Sequence, residues 1–378
     1  MTSPTRYLTD LREMRERILP MIGVSGPAFM APDAVNAAMI RHWCAAIGDR
    51  NPVYTNDKLA AQSVYGGIIA PPVMLHAWTM PGYGVAIDFD PVFALRAVLD
   101  EYGFTSDVAT NVEQEYIRPL RLGDRLKLVR TVASLSDEKA TPLGRGYFIT
   151  SRYDLYDSDD QPVAVMLYRS MKFMPKKSAD SAAGDARGVA PAATGTARAD
   201  ESGAVASAAA PSGTLPVVMR GSERAIGFPD EAGEVGDELP PTVRAADISV
   251  GTRLAPLQVA VTRSFIVASA IATRDYQEVH HDPDAARARG SRDIFTNILT
   301  TTGLIGRLVT DSLGPDAQLR SVTVKLGAPN YAGDTLLLEG TVSGKQEVGG
   351  QAVIGIGISG RNSLGEHVAA RVSVALPR

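Results

Sequence analysis

Residues 291–314 read SRDIFTNILTTTGLIGRLVTDSLG. Ile298, Leu299, Leu304, Ile305, Leu308 and Val309 spread apolar side chains around most of a helical circumference. A helix with so little polar face has to be covered on nearly every side. The sequence that follows can cover it. Strand-forming runs occupy 318–326, 334–345, 351–360 and 367–376. The turn-rich pieces SGKQEVGG (343–350) and GRNSLGEH (360–367) separate them. One buried helix followed by an antiparallel meander implies a sheet wrapped around that helix.

Just upstream, TRSFIVASAIATRD (262–275) is a shorter helix. Thr262 is its expected N-cap, and Phe265, Ala268, Ile271 and Ala272 fall at helical spacing on its expected apolar face. Between the two helices lies RDYQEVHHDPD (274–284), which holds two of the five histidines. Asp275 and His280 sit where a carboxylate and an imidazole can turn back toward one cavity and share a water. The free N–H groups at the start of the buried helix, around Thr296 and Asn297, could meet a developing oxyanion. From the residues alone, an acid/base site, a metal site and a plain polar loop all stay open. A metal reading lacks a third ligand at a suitable spacing. His281 and Asp282 read as a turn and N-cap opening DAARARG (284–290).

The first half repeats this plan. AAIGDRNPVYTND (45–57) answers AIATRDYQEVHHD (270–282), and RPLRLGDRLKLVRTV (118–132) answers APNYAGDTLLLEGTV (328–342). Strand-like runs follow at 111–117, 125–135, 145–156 and 162–173, with a turn at YDSDDQP (156–162). Two shared landmarks in one order favour an internal duplication. From Asp49 to Asp124 is 75 residues, whereas from Asp275 to Asp334 is 59, so the first half carries an insertion, best placed in 81–107. Between the halves, 176–216 is dominated by Ala, Gly, Ser and Pro and reads as a disordered linker. The expected domains are therefore 1–175 and 217–378.

Composition narrows the function classes. The 378 residues are 45% hydrophobic and carry a net charge of −4. Without a long basic run, nucleic acid is not an expected partner. The N-terminus lacks the apolar core of a signal peptide, and no apolar run is long enough to span a bilayer, so a cytoplasmic protein is expected. The lone Cys44 excludes an internal disulfide and reads as a buried small side chain. His76, on PPVMLHAWTM (71–80), reads as a core or pocket residue; His42 and His367 read as surface-facing.

GDRNPVY (48–54) resembles the hydratase loop of MaoC-like enoyl-CoA hydratases, G-D-x-N-P-hydrophobic-H, and RDYQEVH (274–280) fits the same frame. The resemblance implies an α+β double hotdog, in which two long central helices are each wrapped by an antiparallel sheet. It implies Asp275 and His280 as the catalytic pair, the backbone N–H of Asn297 as oxyanion donor, and Gln277 as support for the loop through its amide. In the first half Asp49 and Asn51 keep their places, but Tyr54 stands where the histidine belongs. A phenol titrating near pH 10 does not replace imidazole near neutrality, so this half is expected to be a degenerate, non-catalytic site.

One dead and one live hotdog together resemble hydratases for bulky acyl-CoAs. The second half is especially similar to the catalytic subunit of the two-subunit actinobacterial steroid side-chain enoyl-CoA hydratases, and the first to the MaoC-like domain of its partner. That resemblance implies a hydro-lyase acting on a steroid 17-enoyl-CoA, with no metal or redox cofactor, in steroid or cholesterol degradation. It also implies a downstream aldolase as partner. In that family a DUF35-type domain makes this contact, and its absence from the sequence weakens the expectation. A homodimer of the fused unit is a further expectation. The rival readings are a hydratase for medium or long straight-chain enoyl-CoAs, a hotdog thioesterase, and a non-catalytic acyl-CoA-binding subunit.

Overall fold

A computed structural model describes residues 4–85, 90–175 and 237–378. The expected linker, 176–216, lies outside the described residues. Eleven strands form one sheet. In the first half they are β1 (Phe29–Met30), β2 (Ser106–Tyr116), β3 (Lys127–Leu135), β4 (Lys139–Ala140), β5 (Gly144–Tyr156) and β6 (Pro162–Pro175). In the second half they are β7 (Leu257–Val261), β8 (Gln318–Leu326), β9 (Asp334–Val348), β10 (Gln351–Asn362) and β11 (Gly365–Leu376). The order is β1-β3-β5-β6-β2-β8-β11-β10-β9-β7, with β4 paired to β5 alone. From the centre outward, each half runs first strand, last strand, third, second and a short outer strand. That mirrored order is what a duplicated unit joined edge to edge gives. The seam is the antiparallel pair β2–β8, from Asn111↔Lys325 to Glu115↔Ser321.

The helices are α1 (Pro4–Ile18), α2 (Ala37–Ile47), α3 (Pro52–Thr55), α4 (Asp57–Gln62), α5 (Pro91–Glu101), α6 (Arg263–Ala272), α7 (Pro283–Ala288) and α8 (Ile298–Leu313). α8 is the expected buried helix, with Ile298, Leu304, Ile305 and Val309 all under 4% exposed. It packs against β2, β8 and β9, so strands of both halves cover it. The helix begins at Ile298 rather than Ser291, because Asn297 caps it with Oδ1 accepting from Thr300 N at 2.7 Å. The architecture is the α+β double hotdog.

The halves differ in their central helices. In the first half this segment is a 3-10 helix of eight residues, Pro72–Thr79, half the length of the sixteen-residue α8. Pro71 and Pro72 open it, and Pro81, two residues beyond its end, keeps the chain from continuing as helix. Part of the expected insertion is α5, capped by Asp90, whose Oδ1 accepts from Val92 N at 2.9 Å. With α1, α5 forms a second, smaller core in which Met14, Ile18, Leu95 and Leu99 pack against Phe104 and Tyr147.

The buried face of α6 departs from expectation. Phe265, Ile266, Ser269 and Ala270 are buried, whereas Ile271 is 58% exposed and Ala268 is exposed. The true inner stripe includes hydroxyl residues, because their O–H groups are satisfied inside: Ser269 Oγ donates to Ile266 O (3.1 Å) and Thr273 Oγ1 to Ala270 O (3.0 Å). His367 is likewise not at the surface. It is 2% exposed and sits opposite the β10–β11 register shift between Gly360 and Arg361. A bulge adds a residue without a cross-strand partner, so strict in/out alternation fails there. His42 is exposed and Cys44 buried, as expected. Among the described residues no helix is long and apolar enough to cross a membrane.

Candidate active site

The two copies of the loop share a backbone. α2 ends with Asp49 N donating to Cys44 O (2.9 Å), and α6 with Asp275 N donating to Ala270 O (3.0 Å). Both turns pass through a left-handed residue, Gly48 at φ 72° and Arg274 at φ 58°. Glycine takes that conformation freely, whereas a side chain costs roughly 1–2 kcal/mol. Arg274 is held there in part by Asp33 of the first half, at 3.2 Å. Next, Asn51 N donates to Asp49 Oδ1 (3.0 Å) and Gln277 N to Asp275 Oδ1 (3.4 Å). Tyr54 N then donates to Asn51 O (3.1 Å), and His280 N to Gln277 O (3.0 Å). Each loop runs into a capped helix: Asn56 accepts from Leu59 N, and Asp282 from Asp284 N and Ala285 N. Asp282 is thus the N-cap that the sequence implied, and neither it nor His281 joins the Asp275–His280 pair.

Gln277 supports the loop through its main chain, not its amide. Its side chain is exposed and caps nothing, whereas Asn51 Oδ1 accepts from Val53 N at 3.2 Å. The extra methylene puts the glutamine amide beyond the short closed ring that asparagine makes. Accordingly Glu278–His280 is a single 3-10 turn, where Asn51 and Pro52 start the helical α3.

Asp275 and His280 are each 5% exposed, with Asp275 Oδ2 3.4 Å from His280 Nε2. His280 Nδ1 lies 2.8 Å from Phe295 O. A carbonyl only accepts, so Nδ1 carries a hydrogen, and Nε2 is the nitrogen that faces the carboxylate. Burial pushes the Asp275 carboxyl up, but His280, the Gln277 N–H and His76 outweigh it, and the net shift is down. Asp275 is therefore an anion at neutral pH.

The entry to α8 adjoins this pair through Phe295, two residues before Asn297, which meets His280. Thr296 N–H is spent on Asn330 O at 3.1 Å, so of the two donors named from the sequence only Asn297 N–H has no partner among the described residues, together with Ile298 and Leu299 in the open first turn. Asn297 Nδ2 donates to Thr273 Oγ1 at 2.8 Å. One buried side chain thus ties the start of α8 to the residue two before Asp275. His367 braces the same helix, with Nδ1–H donating to Ala328 O (2.7 Å) and Nε2 accepting from Thr301 Oγ1 (3.0 Å). Nothing in a lone strand histidine signalled that brace.

First-half residues reach the site. Tyr83 meets Tyr276 edge-on at 5.9 Å between ring centroids. His76 is buried and pushed down to about 4, by burial first and by Arg130, against the pull of the Asp275 charge. The first-half loop is buried to the same degree as the pair: Asp49, Asn51 and Tyr54 are 6%, 7% and 4% exposed. Burial and the charge of Asp311 push Asp49 up to about 7, against the Asn51 N–H and Arg307. Burial and Asp49 hold the Tyr54 phenol well above its usual range. Among the described residues no group of three His, Cys, Asp or Glu side chains is placed to hold a metal ion.

Residues 24–166 match the FAS1-like dehydratase domain region, and residues 248–357 the MaoC like domain. The chain is 46% identical over 127 residues to the 3-oxo-4,17-pregnadiene-20-carboxyl-CoA hydratase beta subunit of Mycobacterium tuberculosis, covering 34% of this chain and 95% of that one. The chain belongs to the MaoC-like dehydratase family. The alpha subunit of the same Mycobacterium tuberculosis hydratase is 36% identical over 181 residues, 47% of this chain and 58% of that one. The chain spans about half the length of the alpha-subunit relatives it matches. Among solved structures, a MaoC-like dehydratase superposes with a TM-score of 0.65 at 17% identity, over 96% of this chain and 100% of that one. A Mycobacterium tuberculosis protein described as a double hotdog gives 0.55 at 16% identity, over 93% and 96%. Both agree with the MaoC-like double hotdog fold.

Proposed function

We propose that this MaoC-like protein is an enoyl-CoA hydratase whose chemistry is carried by Asp275 and His280. The observation that carries the reading is the buried Asp275–His280 pair, with Oδ2 and Nε2 face to face and His280 Nδ1 committed to Phe295 O. A water donating to both is fixed and polarised. Its oxygen bonds to C3 of a trans-2-enoyl thioester while the pair takes its proton. The C=C electrons move to the thioester oxygen, where the N–H of Asn297 at the positive end of α8 meets the charge. The pair returns a proton to C2 from the same side, giving syn addition and a 3-hydroxyacyl-CoA. The thioester is the electron sink, so the reaction calls for no metal or redox cofactor. The first-half loop keeps the same backbone but offers no imidazole, and its role in this reading is structural.

The substrate carries a bulky acyl group, a steroid side-chain 17-enoyl-CoA. Support comes from the relatives: one chain resembles both the alpha and the beta subunit of a hydratase named for a pregnadiene carboxyl-CoA. The test compares kcat/KM, from loss of enoyl absorbance, for a steroid 17-enoyl-CoA and for decenoyl-CoA. A preference for the steroid supports the assignment. Equal or better use of decenoyl-CoA reassigns the enzyme to straight chains.

A further inference from the structure

The inner face of the first-half sheet carries polar groups that the proposed chemistry does not use. In its register Val132, Ser151, Tyr168 and Val112 form one row across β3, β5, β6 and β2. Arg130 lies opposite Tyr153 in the next row. Ser151 is 1% exposed, and its hydroxyl has no hydrogen-bond partner among the described residues. Arg96 reaches in from α5, with Nη2 donating to Ser170 Oγ (2.8 Å) and Nη1 3.3 Å from Asp107. Its buried Nε–H likewise has no partner among the described residues. Burial, less the opposing pull of Arg130 and Arg96 on Tyr153 and of Arg96 on Tyr168, keeps both phenols above their usual range, so both stay donors.

His76, which feels the Asp275 charge, belongs to a group of rings on this face. His76 meets Tyr153 and Tyr168 edge-on, each at 5.6 Å, and the two tyrosines lie within 24° of parallel. The Asp275 charge is felt at both His76 and Tyr168. Buried donors left unpaired are costly in a core that could have been apolar, and a bound acceptor offsets that cost. A straight acyl chain brings no acceptor to them.

Building on the hydratase reading, we infer that Ser151, Tyr168 and the Arg96 Nε–H form a polar subsite for a ketone oxygen at the far end of a rigid, ring-bearing acyl group, whose rings lie against His76, Tyr153 and Tyr168. The subsite makes the non-catalytic half the reader of substrate identity. It also explains why apolar packing does not fill this part of the sheet.

The test uses the full chain and two thioesters, a ring-ketone steroid enoyl-CoA and its ketone-free analogue, with Tyr168→Phe and Ser151→Ala. Removing one donor should raise KM for the ketone substrate about tenfold and leave the analogue unchanged. Equal effects on both substrates, or none on either, overturn the subsite. Equilibrium binding of the saturated, unreactive thioesters separates this inference from the activity. A ketone preference in the wild type that disappears in Tyr168→Phe, without any hydration, sustains the subsite and overturns the hydratase reading. Hydration without a ketone preference does the reverse.

Discussion

At residue scale, the two loops differ most at the position of His280. Its counterpart Tyr54 has the same main-chain hydrogen bond but a neutral, buried phenol. Replacing Asp275 by Asn or His280 by Ala should lower kcat for hydration about 10²–10⁴-fold, as expected for loss of a general acid/base group. The circular dichroism spectrum should not change. Asp49 supplies a pH prediction. Its pKa rises from the ordinary carboxylate value of about 4 to about 7 in the fold. The native state therefore holds a proton that the unfolded chain has lost, and stability falls as pH rises between those values. Asp49→Asn stays neutral throughout. Urea unfolding at pH 5 and pH 8 should show a wild-type loss on the order of 2–3 kcal/mol that the variant largely lacks. The sequence exposed the Asp and His positions through their frame, but not the tautomer of His280, because Phe295 O comes from fifteen residues away.

At the scale of elements, the side chain of Asn297 matters as much as its N–H. It caps α8 through Thr300 N and holds α6 through Thr273. Asn297→Ala keeps the backbone donor but removes both bonds. Thermal unfolding should show a loss of about 2 kcal/mol, one part from the cap and one from the buried bond. kcat should fall at least tenfold with a smaller change in KM, since loss of alignment harms the transition state more than binding. An unchanged kcat would show that α6 and α8 hold their geometry independently. Most strand limits were legible from alternation and turn residues, and α8 from its apolar surface. The inner face of α6 was not, because Ser269 and Thr273 are buried as self-satisfied hydroxyls. Nor was the brace from His367, because a bulge breaks the alternation that would place it. The short Pro72–Thr79 helix could have been read from Pro71, Pro72 and Pro81, which bound it on both sides.

At the scale of the molecule, the halves are joined by more than the β2–β8 seam. α8 passes close to the first half at Gly306, where an added Cβ would lie 2.7 and 2.8 Å from the Val73 methyls. Val73 is β-branched and cannot swing aside, so Gly306→Ala should cost about 1–3 kcal/mol in denaturant unfolding. Arg307 adds a polar tie, with Nη1 donating to Ile47 O at the end of α2 (3.0 Å). Repeated landmarks announced the duplication, and the mirrored strand order follows from it. What the landmarks could not announce is that His76 and Tyr168 of one half stand within the field of Asp275 in the other, since no local pattern encodes a contact between copies. The most direct measurement is hydration of a trans-2-enoyl-CoA by the full chain, its Asp275→Asn and His280→Ala variants, and Asp49→Asn. Turnover by the wild type and Asp49→Asn, lost in the two second-half variants, is the predicted result. Turnover that survives in both second-half variants, or that disappears in Asp49→Asn while the protein stays folded, would contradict the account.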